Sequence, residues 1–237
     1  MSDTLTILGS GTCNLDPKKA AASVLVAKGE LRLVYDFGRG TATRLAEAGL
    51  KQDDIQHIFL SHFHPDHVTD LLPYLHAASW SQIDARTKDL NIYGPTGTKE
   101  FLRKLFGVFG QKELGRNFSI TVHELRDGKF GISKQEFLII DLHHSRGLRF
   151  DNFAVAGDAQ INADLENLLK GVELGVFDAG HITDDEICAL AAKTQAKTLV
   201  CSHQYRPLDE KKLNKQAKAL GYEGKLVVAA DLMDFAL

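Results

Sequence analysis

The stretch that decides the fold of this chain is Leu60-Ser61-His62-Phe63-His64-Pro65-Asp66-His67. It follows an apolar run over residues 55–60, which is typical of a short buried strand. Alternate residues of an extended segment point to opposite sides, so His62 and His64 are predicted to share one side. Asp66 and His67 come next, where the chain turns. Neutral imidazole and carboxylate are preferred ligands of zinc and related ions. The spacing therefore favours two adjacent metal ions over a solvated polar loop.

Three further candidate ligands also stand at the ends of apolar runs. His144 follows residues 138–142, Asp158 follows 153–156, and His203 follows 198–201. Loops held by a rigid sheet are where open metal sites are usually built. Plainer roles would be a turn-forming one for Asp158 and a structural core one for His203. His143 stands beside His144, and only one of the two is expected to face a metal.

Composition is that of an ordinary globular protein of 237 residues, with 25% charged and 44% hydrophobic residues. The net charge of −3 argues against a general polyanion binder, although a local basic patch could hold a phosphate. The three cysteines, Cys13, Cys188 and Cys201, are scattered and odd in number, which favours a reducing compartment. No apolar run reaches membrane-spanning length, and the N-terminal residues do not form a signal peptide pattern. A cytoplasmic location without membrane contact is therefore expected.

Strand and helix patterns alternate along the whole chain, and residues 1–237 are predicted to form one domain. Strands are predicted at 4–8, 23–27, 31–36, 55–60, 90–93, 119–124, 137–142, 148–150, 153–156, 174–177, 198–201 and 225–229. Helices are predicted at 41–48, 70–80, 98–109, 163–169, 184–193 and 209–220, with Thr183 as an N-cap. Strand-rich blocks followed by helix–strand alternation, twice over, predict an α/β fold of two mixed sheets with helices outside.

The His62–His67 loop matches the His-x-His-x-Asp-His signature of the metallo-β-lactamase superfamily. Further segments, in order and almost end to end, resemble the ribonuclease Z-like branch of that superfamily. They are Leu8-Gly9-Ser10-Gly11-Thr12, Val34-Tyr35-Asp36-Phe37-Gly38-Arg39-Gly40-Thr41, Leu142-His143-His144-Ser145, Ala156-Gly157-Asp158-Ala159, Ala179-Gly180-His181-Ile182-Thr183 and Cys201-Ser202-His203-Gln204-Tyr205-Arg206. The resemblance implies an αββα four-layer sandwich with two mixed β-sheets.

The resemblance also implies a ligand set for two divalent metal ions per chain. Metal one would be held by His62, His64, His144 and Asp158. Metal two would be held by Asp66, His67, Asp158 and His203. In this family the pattern favours His144 over His143. Each ion would keep an open position for a bridging water or hydroxide, whose pKa falls towards neutrality. Zinc is favoured, although manganese and iron would also suit these ligands.

Three residues are expected to act around the metals. Asp66 would both bind metal two and orient the attacking hydroxide. By resemblance, His181 would face the substrate phosphate and protonate the leaving oxygen; the plainer reading is a helix-end residue without chemistry. Asp36 is expected to hold a metal ligand through a hydrogen bond. His57, His76 and His123 have no motif around them and are expected to be structural or exposed.

The predicted function is a metal-dependent hydrolase acting on small cyclic or linear phosphodiesters. A second candidate is a ribonuclease Z-like RNA 3′-processing endonuclease. Only thirteen residues separate His144 from Asp158, which leaves no room there for the long RNA-binding arm of many such enzymes. The sequence is also compatible with a lactone, thioester or ester hydrolase and, more remotely, with a non-catalytic metal- or nucleic-acid-binding module. The expected partner is a small diester, with RNA second, and a homodimer is compatible with the resemblance.

Overall fold

Two seven-stranded sheets carry the structure, a computed structural model that describes residues 3–110 and 115–237. The first sheet contains, in spatial order, β14 (Met233–Ala236), β1 (Thr4–Gly9), β2 (Ser23–Lys28), β3 (Leu31–Tyr35), β4 (His57–Phe59), β5 (Leu90–Gly94) and β6 (Ile120–Glu124). The second contains β13 (Lys225–Val228), β12 (Thr198–Ser202), β11 (Leu174–Asp178), β10 (Phe153–Val155), β9 (Arg146–Phe150), β8 (Gln135–Asp141) and β7 (Gly128–Ile132).

Helices cover the outer faces of both sheets. They are α1 (Thr41–Glu47), α2 (Pro65–Val68), α3 (Leu71–Trp80), α4 (Thr98–Val108), α5 (Ala163–Leu169), α6 (Asp184–Thr194) and α7 (Glu210–Ala219). One apolar cluster lies between the sheets, and two more fill the space between each sheet and its own helices. Burial of apolar side chains on both faces of both sheets gives four layers. The predicted αββα architecture is confirmed.

Strand direction brings the candidate ligands to one edge. In the first sheet, β3, β4, β5 and β6 run parallel, and in the second sheet β10, β11, β12 and β13 do so. β9 is antiparallel to both β8 and β10, so β8 points the same way as β10. The carboxyl ends of β8, β10, β11 and β12 therefore meet at the same edge of the second sheet, which is why residues that follow these strands can form one site.

Three elements differ from the predicted pattern. β7, β14 and the short helix α2 are present in the structure although the sequence patterns did not predict them. The helix predicted over 70–80 begins at Leu71, because Asp70 occupies its N-cap position. Thr183 caps α6 as predicted, and its hydroxyl accepts a hydrogen bond from the Glu186 N–H.

None of the helices in the described ranges is both long and apolar enough to cross a membrane.

Candidate metal centre

The loop after β4 delivers its side chains as the alternation predicts. The rings of His62 and His64 lie 4.7 Å apart on one side of the chain. Phe63 points the other way and stacks on Phe101 of α4, with ring centroids 4.6 Å apart. Pro65 is the first residue of α2. Its missing N–H removes no helical hydrogen bond, because an N–H at this position has no partner within the helix. The turn of α2 redirects Asp66 and His67 towards a second point.

Asp36 fixes this loop from behind, as expected from the sequence. It follows β3 with a left-handed backbone, φ 58°. Its Oδ1 accepts a hydrogen bond from the Ser61 N–H (2.7 Å), and its Oδ2 accepts one from the Ser61 hydroxyl (2.8 Å). The same Oδ2 lies 2.7 Å from His67 Nδ1. Because Nδ1 is occupied by Asp36, Nε2 of His67 faces the centre of the cluster.

The second sheet brings His144, rather than His143, next to the histidines of the loop. His144 Nε2 lies 3.4 Å from His64 Nδ1, and its ring is 5.0 Å from that of His62. His143 adopts a left-handed backbone, φ 71°, and its side chain is 74% exposed beside Asp164. The left-handed turn at His143 sends its imidazole outward and brings the next residue inward.

Asp158 lies between the two groups of histidines. Its Oδ1 is 2.9 Å from His67 Nε2 and 3.3 Å from His203 Nε2, and its Oδ2 is 3.7 Å from His62 Nε2. Gly157 makes this approach possible, because a Cβ there would lie 2.7 Å from the Ser61 hydroxyl and 2.8 Å from that of Ser145.

Several buried atoms of this cluster have no hydrogen-bond partner in the described part of the chain. They are His62 Nε2, His67 Nε2, Asp158 Oδ1 and both ring nitrogens of His203. Buried polar atoms are almost always satisfied, so a group of unsatisfied polar atoms that face one another is the arrangement expected of a cation-binding site. The donor set fits a divalent metal ion. Four overlapping groups have ligand atoms within 4.8 Å of one another, and two of them consist of predicted ligands: His62, His64, His144 and Asp158; and Asp66, His67 and His203. The other two groups bring in Asp36, with His62 and His67, and His181, with Asp158 and His203.

The pKa shifts of the buried groups in the cluster also favour a cation at this position. Burial alone would lower the pKa of His67, but the charges of Asp36 and Asp158 outweigh it and raise that pKa well above 6.5. Burial alone would raise the pKa of Asp158, whereas its contact with His67 holds it well below the usual range. These carboxylates therefore favour a positive charge at the centre, either a proton or a metal ion.

His181 lies next to the cluster and is hydrogen-bonded to Asp178, a carboxylate that the sequence patterns did not assign to the site. Its Nδ1 lies 2.6 Å from Asp178 Oδ2, and Asp178 Oδ1 accepts hydrogen bonds from the N–H groups of Gly180 (2.8 Å) and His181 (3.2 Å). The hydrogen bond to Asp178 raises the pKa of His181. Asp178 could have been recognised as a candidate site residue from the sequence, because it ends β11 at the same edge as the other strand-end residues.

Tyr205 and Arg206 are further site residues without a predicted role. The Tyr205 ring makes edge contacts with the rings of His181 (5.3 Å) and His203 (5.4 Å). The Arg206 guanidinium donates to the carbonyl oxygens of Ala179 and Ile182, which flank His181.

A cleft of about 490 Å³ opens beside these groups. Its walls include His64, His144, Asp158 and His181 from the cluster, and Gln160, Ile161 and Asn162 from the loop after β10. The candidate metal centre is therefore accessible to a small ligand from one side.

Two mixed sheets with a histidine–carboxylate cluster at their strand ends define an αββα fold of the metallo-β-lactamase type. The chain belongs to the beta-lactamase superfamily, because residues 34–204 match the family described as Beta-lactamase superfamily domain.

Curated relatives are ribonucleases Z. The chain is 31% identical over 134 residues to that of Mycobacterium sp. (strain KMS), covering 52% of this chain and 46% of the relative. It is 32% identical over 145 residues to that of Pyrococcus abyssi, covering 60% and 44%. The chain thus spans less than half the length of the curated relatives it matches. These matches confirm the resemblance to the ribonuclease Z-like branch.

Solved structures share the fold along nearly the whole chain. The metallo-beta-lactamase fold protein YhfI from Bacillus subtilis superposes with a TM-score of 0.79 at 18% identity, covering 98% of both chains. A diphosphatase from the PhnP family gives 0.77 at 22% identity, covering 99% of this chain and 97% of that one. The short form of human tRNase Z gives 0.74 at 21% identity, covering 98% of both.

Proposed function

We propose that this chain is a hydrolase of small phosphodiesters with a binuclear metal site. The observation that carries the proposal is the position of Asp158, whose carboxylate faces the unsatisfied nitrogens of histidines on both of its sides. A shared carboxylate between two sets of neutral imidazoles is the donor arrangement that two adjacent dications require.

The proposed ligands follow the two groups of side chains. His62, His64, His144 and Asp158 would hold one ion, and Asp66, His67, Asp158 and His203 would hold the second. Zinc is favoured, and manganese or iron would suit the same nitrogen and oxygen donors. When bound, such ions lower the pKa of water and neutralise negative charge that develops on the substrate.

The chain's own residues supply orientation and a proton. Asp66, at the start of α2, would accept a hydrogen bond from the attacking water and aim it at phosphorus. His181 would donate the proton on Nε2 to the leaving oxygen as the phosphorus–oxygen bond breaks. Asp178 holds Nδ1, so the ring keeps a fixed orientation with Nε2 free. We therefore propose Asp66 and His181 as catalytic residues and Asp178 as a positioning residue.

Two observations support a phosphate-ester substrate. The curated relatives are named ribonuclease Z, and one solved structure of the same fold is described as a diphosphatase. Both names denote hydrolysis at phosphorus. The cleft of about 490 Å³ has the size of a small-ligand pocket.

RNA 3′-processing is the second candidate, because ribonuclease Z is the name of the curated relatives. The segment between His144 and Asp158 forms the antiparallel hairpin of β9 and β10, so it folds entirely within the second sheet. This is why we place a small diester before RNA. One domain over residues 1–237 and a cytoplasmic location remain part of the proposal.

Hydrolysis assays on metal-reconstituted protein test the proposal. We expect turnover of bis-p-nitrophenyl phosphate or a 2′,3′-cyclic nucleotide, with about two metal ions per chain by elemental analysis. Ester and lactone substrates and a precursor tRNA form the comparison arms. Two bound metals with turnover of an ester or lactone alone would contradict a phosphodiesterase. Cleavage of precursor tRNA alone would select the second candidate.

A further inference from the structure

A second cavity, of about 300 Å³, lies beside Tyr205. Tyr205 lines this cavity, and its ring also contacts His181 and His203. The opposite wall comes from the loop after β1, including Asn14, Asp16 and Lys19. Tyr205 is therefore shared between the wall of this cavity and the candidate metal centre.

The ammonium group of Lys19 is held in this cavity by a fixed acceptor. Lys19 Nζ donates to Gln204 Oε1 at 2.8 Å. Gln204 is buried, and its Nε2 donates to the carbonyl oxygens of Cys201 (3.0 Å) and Ala229 (2.8 Å). Both amide hydrogens are used, so the amide cannot turn, and its oxygen keeps facing Lys19. Because Gln204 directly follows His203, the ammonium is held by the same segment that carries a candidate metal ligand.

Two basic residues, Lys19 and Arg206, and one carboxylate, Asp16, line the cavity, so its wall carries a net positive charge. Within the described residues, Lys19 Nζ donates to Gln204 and forms no ion pair with a carboxylate. Asp16 also lines the cavity, and its Oδ1 accepts a hydrogen bond from the Lys18 N–H. Arg206, a second basic residue in the wall, uses its guanidinium on two carbonyl oxygens and Asp184. Lys19 retains donor hydrogens for an anion, since an ammonium has three.

We propose that this second cavity binds a second phosphate group of the substrate, carried on one ester arm of the diester. The inference rests on the proposed function and narrows its substrate class to nucleotide-type diesters that bear a terminal phosphate. Lys19 would bind that phosphate as a point charge, and the face of Tyr205 would pack against the connecting sugar or base. The cleft beside His144 would take the remaining arm.

A pair of chromogenic substrates tests the inference. They are thymidine 5′-(p-nitrophenyl phosphate) and the same ester with a 3′-phosphate. We expect the reconstituted wild type to prefer the phosphorylated ester in kcat/KM by about tenfold or more. Lys19→Met should bring this ratio close to one, and Lys19→Arg should recover part of it. Lys18→Met is the matched control, because Lys18 lies one residue away, outside the cavity wall, and should retain the wild-type ratio.

Binding without turnover gives an independent readout. By calorimetry, thymidine 3′,5′-bisphosphate should bind the wild type more tightly than thymidine 5′-monophosphate, and Lys19→Met should remove the difference. A single-stranded RNA of twelve nucleotides distinguishes the source of the phosphate: stronger competition by this RNA than by the bisphosphate would assign the cavity to a polynucleotide strand.

The outcomes separate the two proposals. Hydrolysis of both esters with an unchanged ratio and unchanged bisphosphate affinity in Lys19→Met would overturn the inference and leave the phosphodiesterase intact. Loaded protein that hydrolyses neither ester would count against the phosphodiesterase, and the bisphosphate affinities would still decide the role of the cavity.

Discussion

His67 shows at the scale of one residue how the sequence positions a candidate metal ligand. Its Nδ1 is hydrogen-bonded to Asp36, and its Nε2 lies 2.9 Å from Asp158 Oδ1. A histidine whose one nitrogen is hydrogen-bonded to a carboxylate has a fixed ring and a more basic second nitrogen. Asp36 (φ 58°) and His203 (φ 51°) both have a left-handed backbone conformation. Each such conformation is unfavourable by roughly 1–3 kcal/mol, and strain of this kind is common at functional sites.

Asp158→Ala is predicted to lose metal and turnover together, because the shared carboxylate would be removed from both proposed ion sites. We expect elemental analysis to show less than half of the wild-type metal content and hydrolysis to fall by at least about a thousandfold. His76→Ala is the control, since its exposed side chain on α3 lies outside the cluster and outside the lining of the cleft. Full metal content with full activity in Asp158→Ala would contradict the proposed bridging role.

His181→Ala is predicted to retain metal and to slow turnover by about a hundredfold or more, because general acid catalysis is lost while the ligands stay. Asp178→Asn should fall between His181→Ala and the wild type, since the ring stays but loses its charged partner. Metal content and kcat measured on the same samples check both variants. Full activity in His181→Ala would remove it from the catalytic set.

At the scale of elements, sequence patterns predicted most strands of the two sheets because long apolar runs mark buried strands. They missed β7, whose two glycines weaken a strand pattern, and β14, whose residues are only partly buried. They also missed α2, since four residues are too few to produce a helical period. The ligand loop was predictable because its residue types are dense and close together in sequence.

The supporting contacts of the site were less predictable. The position of Asp178 at a strand end marks it as a candidate site residue, but its contact with His181, three residues on, depends on a turn conformation that no residue pattern specifies. Arg206 reaches the same loop from 24 and 27 positions away along the chain. Such contacts depend on how β11 and β12 pair in the folded sheet, so a single sequence does not specify them.

Gly38→Ala is predicted to destroy the metal centre through packing of one element on another. A Cβ at Gly38 would lie 2.0 Å from the Asp66 carbonyl oxygen, so α2 and its two candidate ligands would have to move. We expect metal content and activity to fall together, with a loss of at least about 2 kcal/mol in the free energy of unfolding. Urea unfolding of the metal-free protein and elemental analysis measure these effects.

Gly107→Ala is the matched control for that variant. Gly107 lies within α4, and among the described residues a Cβ there meets no atom within 4 Å beyond its own helical turn. Alanine should stabilise this helix by about 0.5–1 kcal/mol. Equal metal contents in Gly38→Ala and Gly107→Ala would show that the close approach at Gly38 does not position the ligand loop.

At the scale of the whole molecule, His57 connects the two sheets away from the metal centre. It lies buried in β4, with Nδ1 3.2 Å from the Tyr93 hydroxyl and Nε2 3.3 Å from the Ser133 hydroxyl of the β7–β8 turn. Burial, together with the nearby His123 and Arg86, lowers the pKa of His57 from 6.5 to about 4. The folded protein therefore holds this imidazole neutral.

The free energy of unfolding should fall as the pH drops from about 6.5 to about 4. In the unfolded chain His57 is protonated below about pH 6.5, whereas in the folded protein it stays neutral down to about pH 4. The free energy of unfolding therefore declines between these two pH values and then levels off. The contribution is about 2–3 kcal/mol. The free energy of unfolding of His57→Gln should depend less on pH than that of the wild type. The stability advantage of the wild type over this variant should therefore decrease steadily from pH 7 to pH 4.

Urea unfolding at several pH values, with exposed His76→Gln as the control, measures that difference. All three proteins share the same candidate metal ligands, so their common acid sensitivity cancels in the comparison. Parallel pH profiles for the wild type and His57→Gln would show that His57 is protonated equally well in both states.

The pairing of β14 with β1 has a consequence for how the chain is made. Thr4 pairs with Ala236, so the outer edge of β1 is covered by the strand that comes last in the sequence. During synthesis β1 leaves the ribosome before the strands that follow it, and β14 emerges only after all of them. The nascent protein therefore carries an open strand edge until residues 233–236 have been made. A chain that stops just short of residue 233 retains both proposed ion sites but leaves that edge free to pair with another molecule.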